Sequence, residues 1–475
     1  MTTYPLLKRT FFSLFWLLIL TGVRCPGQNG DSISLNNHKI PGYRGIWFEL
    51  NQKYPYGDKY SGGLGTYTAK HIPLAIYDAK AGKTFFVYGG TPEPGSRHLL
   101  CMIGSYDHKK GVVAKPTVVF DKMGVNDPHD NPSLLIDGDG YLWVFVSGRG
   151  RSRPGHKLRS TLPYDISHFD LVSSEEMTYP QPWFIENAGM IHLFTKYTGI
   201  RELYFETSAD GYTWSRDIKL AGIRSQCDSL GGHYQVSNFI DNKVATFFNR
   251  HPQGHPDHRT DLYYLQTTDF GKTWTTAEGY TVNLPVSEVK HPSRVMDYAS
   301  QNKNVYLKDL NFDESGNPVC LYLTSSGHEP GPGNAPYEWH LARWNGGSWE
   351  FNTLFSSDHN YDMGSLYISK EEWMIVAPTL PGPFPYSAGG EIMIWQSDDR
   401  GSTWHTKKQV TSNSTLNHTY VRRPLNATDP FLYFWADGNP RSLSISHLYF
   451  GNSVGKYWQL PYEMKSRPAR PEKQK

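Results

Sequence analysis

The stretch NDPHDNPSLLIDGDGYLWVF, residues 126–145, sets His129 between Asp127 and Asp130 and between Pro128 and Pro132. Proline fixes φ and donates no backbone hydrogen bond, so residues 127–132 are expected to form an ordered turn that displays the imidazole. A group titrating near about pH 6.5 is suited to take or give a proton. Two tyrosines hold comparable places ahead of apolar runs, Tyr179 in MTYPQPW and Tyr234 in GGHYQVSNF. Arginines follow the runs: Arg149 after VFVSG, Arg201 after FTKYTGI and Arg250 after ATFFN, with His251 beside the last. A base, hydroxyl acids and guanidinium groups are together what proton transfer next to an anionic group requires. Each also has a plain structural explanation: His129 as a turn cap, Tyr179 as packing, Arg149 as part of the solvated basic loop SGRGRSRPGHKLR.

Whether these residues meet depends on the elements that carry them. Lys8 and Arg9 followed by the apolar residues 11–20 form a secretory signal pattern too short to span a bilayer, assigned to residues 1–27, and a secreted or periplasmic location is expected from it. The remaining cysteines, Cys101, Cys227 and Cys320, are odd in number and far apart, so a large apolar core rather than a disulfide framework must hold the fold. A formal net charge of +2 excludes little by itself; no block of like charge suggests nucleic acid and no second apolar segment suggests a membrane span, so neither is expected as a partner.

The 44 glycines and 32 prolines and the scarcity of any 3.6-residue period point to short strands and an all-β fold. Two octapeptides, TTDFGKTW at 267–274 and SDDRGSTW at 397–404, share the pattern Ser/Thr-x-Asp-x-Gly-x-Thr-Trp, and TSADGYTW at 207–214 repeats it with the aspartate moved by one position. Each reads as a hairpin turn in which Asp ties down amides and Gly takes positive φ, a structural role rather than a catalytic one. Apolar runs recur at Thr84–Tyr88, Tyr141–Val146, Met190–Thr195, Val244–Phe248, Pro318–Leu323, Trp373–Ala377 and Phe431–Trp435. Seven units of about sixty residues fill 40–465, so the expectation is a single seven-bladed β-propeller of four-stranded antiparallel blades.

Aspartate boxes on a propeller resemble the BNR-repeat, sialidase-like superfamily. More specific is GIWFELNQKYPYGDKYSGGLGTYTAK, residues 45–70, followed by TFFVYGG and DPHDNP. This combination looks like the secreted propellers that act on L-rhamnose linked α-1,4 to D-glucuronate in gum arabic and arabinogalactan side chains. That resemblance implies a plant arabinogalactan-type glycan as partner, a monomer, no required cofactor, and a structural calcium ion in the central channel as the candidate metal. In that group a rhamnosidase uses a posterior-face histidine from the N-terminal stretch, whereas a lyase uses an anterior-face histidine as base. Here Gln52 stands where the hydrolase has its histidine, which favours the lyase, with His71 as the nearest substitute.

Elimination across the C4–O4 bond of a uronate requires a neutralised carboxylate, a base for the C5 proton and an acid for the departing oxygen. On the resemblance, which extends to the His, Tyr and Arg sets of ulvan lyase propellers, His129 is expected as base, Tyr179 or Tyr234 as acid, and Arg201 and Arg250 on the carboxylate, with Arg149 and His251 as further contacts. His251, His255 and His258 imitate metal-ligand spacing, but Pro252, Gly254 and Pro256 forbid a helix that would align them, so a zinc site is not expected. Hydrolysis by paired carboxylates would draw on Asp127, Asp130 or Asp362; a sialidase would need an Arg-Ile-Pro signature, which the chain lacks. A non-catalytic sugar-binding propeller would keep the aromatics and tolerate loss of His129. Asn413, Asn417 and Asn426 begin glycosylation sequons.

Overall fold

A computed structural model describes residues 1, 35, 37–197, 200–465 and 468–474. The chain divides into two compact units, Met1–Ser34 and Leu35–Lys475. The signal pattern of residues 8–20 lies outside the described residues, and every described strand belongs to the second unit.

Seven antiparallel sheets succeed one another along the chain, covering residues 75–121, 132–175, 178–221, 235–296, 304–357, 365–409 and 417–473. These are blades 1 to 7 of an all-β propeller; the last two are joined into one sheet through Gly390↔His418. Among the described residues the remaining elements are small hairpins near the N-terminus and four three-residue 3₁₀ turns.

Burial explains why the sequence advertises one strand per blade. In blade 2 the second strand, Leu142–Val146, is buried along its whole length, while the outermost strand, Phe169–Glu175, is mostly half-exposed or exposed. A strand covered on both faces reads as a continuous apolar run. Each of the seven runs falls on the second strand of its blade: Lys83–Gly90, Leu142–Val146, Gly189–Lys196, Lys243–Arg250, Pro318–Ser325, Trp373–Pro381 and Tyr433–Gly438.

The aspartate boxes join the third and fourth strands of blades 3, 4 and 6. Asp399 accepts from Thr403 N at 2.8 Å and from Ser397 Oγ at 2.8 Å, and Gly401 donates to Ser397 Oγ. In blade 3 the hydroxyl at the start of the turn is Ser208, not Thr207: Asp210 accepts from Ser208 Oγ, Tyr212 N and Thr213 N. The aspartate therefore keeps its place two residues after the hydroxyl, and the turn is one residue shorter before Gly211.

Ring closure and site formation share one segment. Leu425 of blade 7 pairs with blade 1 through Leu425 N→Ala75 O (2.8 Å) and Tyr77 N→Leu425 O (2.9 Å). Residues 43–71 run beside this seam as a strap, in which Trp47–Glu49 pairs with Ser61–Gly63 and Lys53–Tyr54 with Gly57–Asp58. Thr419 Oγ1 donates to Gly63 O at 2.6 Å, and Gly89 N donates to Gly65 O at 2.8 Å. At Gly63 a Cβ would lie 1.7 Å from Asp437 O, so only glycine admits this approach. The sequon at Asn417 is sealed: its side chain donates to the carbonyls of Phe384, Ala388 and Gly389, and the residue is fully buried.

Candidate active site

The first strands of the blades line the axis, and the candidate groups sit where those strands begin. His129 precedes Pro132–Ile136, Tyr179 is the second residue of Thr178–Ile185, and Tyr234 precedes Gln235–Ile240. Tyr179 has φ 56, and the register shifts between Thr178 and Gln181, a bulge that re-aims its ring. Its ring then lies 5.9 Å from His129 and 5.6 Å from Tyr234.

These rings border a cavity of about 130 Å³ whose wall includes His129, Tyr179, Tyr234, Arg149, Arg201 and Gln52. The strap adds Lys59, Tyr60, Tyr67 and Lys70, and blades 4 and 6 add Arg259 and Tyr361. Among the described residues the wall contains no carboxylate.

His129 lies in the 3₁₀ turn Pro128–Asp130, capped by Asp127, which accepts from His129 N at 3.0 Å. The same Asp127 Oδ1 is 2.5 Å from His129 Nδ1, so the ring donates from Nδ1 and its Nε2 is an acceptor. Nε2 meets the hydroxyls of Tyr60 and Tyr67, each at 2.9 Å. Burial lowers the His129 pKa despite the opposing pull of Asp127, and Arg149 and Arg153 lower it further. Burial resists ionisation of Asp127, but His129 and Arg149 outweigh it and hold the carboxyl well below its usual range. Asp127 Oδ2 takes Arg153 at 2.7 Å and Arg149 at 3.2 Å. The result is a neutral imidazole with a fixed tautomer, backed by an ionised carboxylate.

Asn131 binds the strap to this turn, donating to Leu64 O at 3.0 Å and Tyr67 O at 2.9 Å. His71 does the same from the other side. Its Nε2 lies 3.1 Å from His129 O and its Nδ1 accepts from Thr68 N. Fully buried, with both nitrogens engaged and its pKa pushed by burial down to about 3, His71 supports the turn and cannot replace a catalytic base.

The basic side of the cavity centres on Tyr234. Lys70 Nζ is 4.9 Å from its ring centroid, and the guanidinium carbons of Arg259 and Arg201 are at 4.7 Å and 5.9 Å. Arg259 bonds Tyr361 Oη at 2.8 Å and Pro256 O at 3.1 Å, neutral partners that leave its charge available. Arg201 bonds Gly254 O, and its buried Nε has no partner.

Three expectations require correction. Arg250 is not part of the cavity wall: its Nε bonds the buried Asp261 Oδ2 at 2.6 Å, because the end of Lys243–Arg250 pairs with the following strand and points inward. His251 is 1% exposed and stacks edge-on 4.6 Å from Tyr234, behind the ring that a ligand would meet. Gln52, expected on the opposite face from His129, lines the same cavity, since the strap carries it there.

His255 and His258 stack on each other at 4.6 Å while His251 is turned to Tyr234, so the three do not converge on a metal position. A calcium ion does not fit the axial groups: Lys70, Lys308, Arg259 and Arg422 crowd there, and after burial their mutual repulsion pushes Lys70 well below the usual ammonium range. Among the described residues one donor cluster appears, Glu175, His192 and Glu206, between blades 2 and 3. Lys157 Nζ sits 2.5 Å from Glu175 and 2.7 Å from Glu206, so an ammonium holds the cation position. The Cys101, Cys227 and Cys320 thiols are free.

Lys59, Tyr60, Tyr67, Lys70, Arg259 and Tyr361 were not expected from the sequence. The first four belong to the conspicuous 45–70 stretch, whose density of Tyr, Lys and Gly was the available signal.

Comparison with known proteins agrees with this architecture. The model of the BNR repeat-containing family matches residues 101–356. An ulvan lyase of Pseudoalteromonas sp. (strain PLSV) is 22% identical over 383 residues, spanning 71% of this chain and 76% of that protein. A solved polysaccharide lyase, a PL25 ulvan lyase, superposes with a TM-score of 0.67 at 17% identity, over 87% of this chain and 96% of its own. The same kind of lyase bound to -[GlcA(1-4)Rha3S]- gives 0.66 at 17% identity, over 88% of this chain and 96% of its own. With seven blades, three aspartate boxes and a family match over more than half its length, the chain belongs to the BNR repeat-containing family.

Proposed function

We propose that this protein is a secreted or periplasmic polysaccharide lyase that breaks the L-rhamnose-α-1,4-D-glucuronate linkage of arabinogalactan-type glycans by β-elimination, acting as a monomer. The observation that carries the reading is a cavity in which an imidazole oriented by Asp127 faces three guanidinium groups, Arg149, Arg201 and Arg259, and no carboxylate. The guanidinium groups bind the uronate carboxylate and stabilise the charge that develops when C5 loses its proton, each well-placed donor being worth about 3–4 kcal/mol. His129 supplies the basicity for removal of the C5 proton and Tyr179 the acid for the departing oxygen, each contributing about 10²–10⁴ in rate. Likeness to ulvan lyases supports the same reaction class.

The strap supports action at a chain end. Tyr56 packs 5.3 Å from Tyr386 and Tyr54 6.1 Å from His328, so the hairpin leans on loops of blades 5 and 6 and walls the cavity with Leu50 and Gln52. A wall of this kind suits a terminal rhamnose cap better than a polymer running through.

Hydrolysis by paired carboxylates finds no support at this cavity. Asp127 serves His129, Arg149 and Arg153; Asp130 pairs with Lys122 and Arg153; Asp362 accepts from the amides of His359 and Gly389. The deciding assay is incubation with gum arabic. A lyase generates an ultraviolet-absorbing unsaturated uronate; a hydrolase releases rhamnose without that signal; a binding protein gives neither.

A further inference from the structure

The proton path does not end at His129. With the Nδ1 proton held by Asp127, Nε2 has a single lone pair, and two phenol oxygens already stand 2.9 Å from it. The imidazole edge that should reach a substrate carbon is thus capped by tyrosine. The two phenols stack at 5.3 Å but have different surroundings. Tyr67 is closed in by Tyr420 at 5.1 Å and His71 at 6.4 Å. Tyr60 packs on Tyr361 at 4.8 Å and lines the cavity together with Arg149 and Tyr179, the groups placed on the substrate.

Resting on the elimination reading, we propose that Tyr60 is the catalytic residue that removes the C5 proton, with His129 and Asp127 behind it and Tyr67 as a positioning residue. His129 Nε2 takes the Tyr60 hydroxyl proton while the Tyr60 oxygen takes the proton from C5. The C5–H electron pair becomes the C4=C5 double bond, and the C4–O4 pair leaves with the rhamnosyl oxygen. That oxygen collects a proton from Tyr179, and the proton stored on His129 returns to Tyr179 through solvent. No net proton and no redox partner is involved. Because the imidazole–carboxylate pair accepts the phenol proton as the oxygen attacks, no free phenolate has to form in this buried position, and the oxygen stands where the ring nitrogen cannot reach.

The test compares wild type, Tyr60→Phe and Tyr67→Phe on a rhamnosyl-glucuronate substrate, following ultraviolet absorbance across pH. Tyr60→Phe is expected to lower kcat about 10³-fold, with KM changed less than about threefold. Tyr67→Phe is expected to lower kcat about tenfold and to move the acid limb to higher pH, because a donor that favours the neutral imidazole is lost. If Tyr60→Phe is poorly folded by thermal melting, 3-fluorotyrosine at position 60, whose phenol gives up its proton more readily, should move the acid limb to lower pH; an unchanged profile overturns the assignment. A wild type that forms the unsaturated product while Tyr60→Phe keeps more than about a tenth of its kcat also overturns the role of Tyr60 and leaves the lyase reading standing. A wild type that forms no such product removes the lyase reading, and the role of Tyr60 with it.

Discussion

Asp127 Oδ1 and His129 Nδ1 are 2.5 Å apart, while the other oxygen of the same carboxylate binds Arg153 at 2.7 Å and Arg149 at 3.2 Å. One short-range pair, two residues apart in sequence, therefore decides the tautomer, the charge and the direction of the imidazole. The turn that allows it comes from Pro128, which starts the 3₁₀ segment, and from Asp127, which caps it.

Asp127→Asn keeps the shape of the cap but no longer fixes the proton on Nδ1. Activity is expected to fall about 10²–10⁴-fold. Asp127 raises the His129 pKa, and Arg149 and Arg153 lower it, so removing the carboxylate should move the acid limb of kcat/KM to lower pH. A pH–rate profile of the variant checks both points.

Two arginines of blade 4 should separate cleanly. Arg259 lines the cavity with neutral partners, and Arg259→Ala is expected to cost about 10²–10³ in kcat/KM, the value of about one lost anion-stabilising donor. Arg250 belongs to a buried pair with Asp261, and Arg250→Ala is expected to lower stability by about 3–5 kcal/mol while the folded fraction keeps its kcat. Urea unfolding beside initial rates distinguishes the two.

Much of the ring was legible, and the reason is physical. The second strand of each blade is covered on both faces, so its apolar run needs no partner to be recognised, and the boxes at Thr267 and Ser397 close on themselves within eight residues. The turn at His129 is equally local. What could not be read are long-range contacts of the strap: Thr419 holds Gly63 across 356 residues and Asn131 holds Leu64 and Tyr67, which together bring Tyr60, Tyr67 and Gln52 to His129. The place of Arg250 is hidden for a related reason, since its partner Asp261 lies on the next strand and proximity along an apolar run says nothing about which side the guanidinium takes.

The boxes should be dispensable for chemistry. Asp399→Ala removes the bonds from Thr403 N, Thr403 Oγ1 and Ser397 Oγ, and is expected to cost about 1–2 kcal/mol in stability with kcat unchanged. Thermal melting and rate measurements on the same preparation test it.

Acid should unfold the protein through its buried imidazoles. Burial pushes His71 and His359 down to about 3 and His233 to about 4. Above about pH 6.5 these rings are neutral in both states; below it the unfolded chain takes up protons that the fold refuses, so stability is lost as pH falls toward 4 at about 1.4 kcal/mol per pH unit per histidine. Urea midpoints between pH 7 and 4 should decline steadily; a flat series would contradict this.

The most direct measurement is the initial rate of ultraviolet-absorbing product from a rhamnosyl-glucuronate substrate for wild type and His129→Ala, with circular dichroism confirming the fold. Product from wild type and a loss of about 10²–10⁴-fold in the variant is the predicted result. Undiminished elimination by a folded His129→Ala protein would contradict the account.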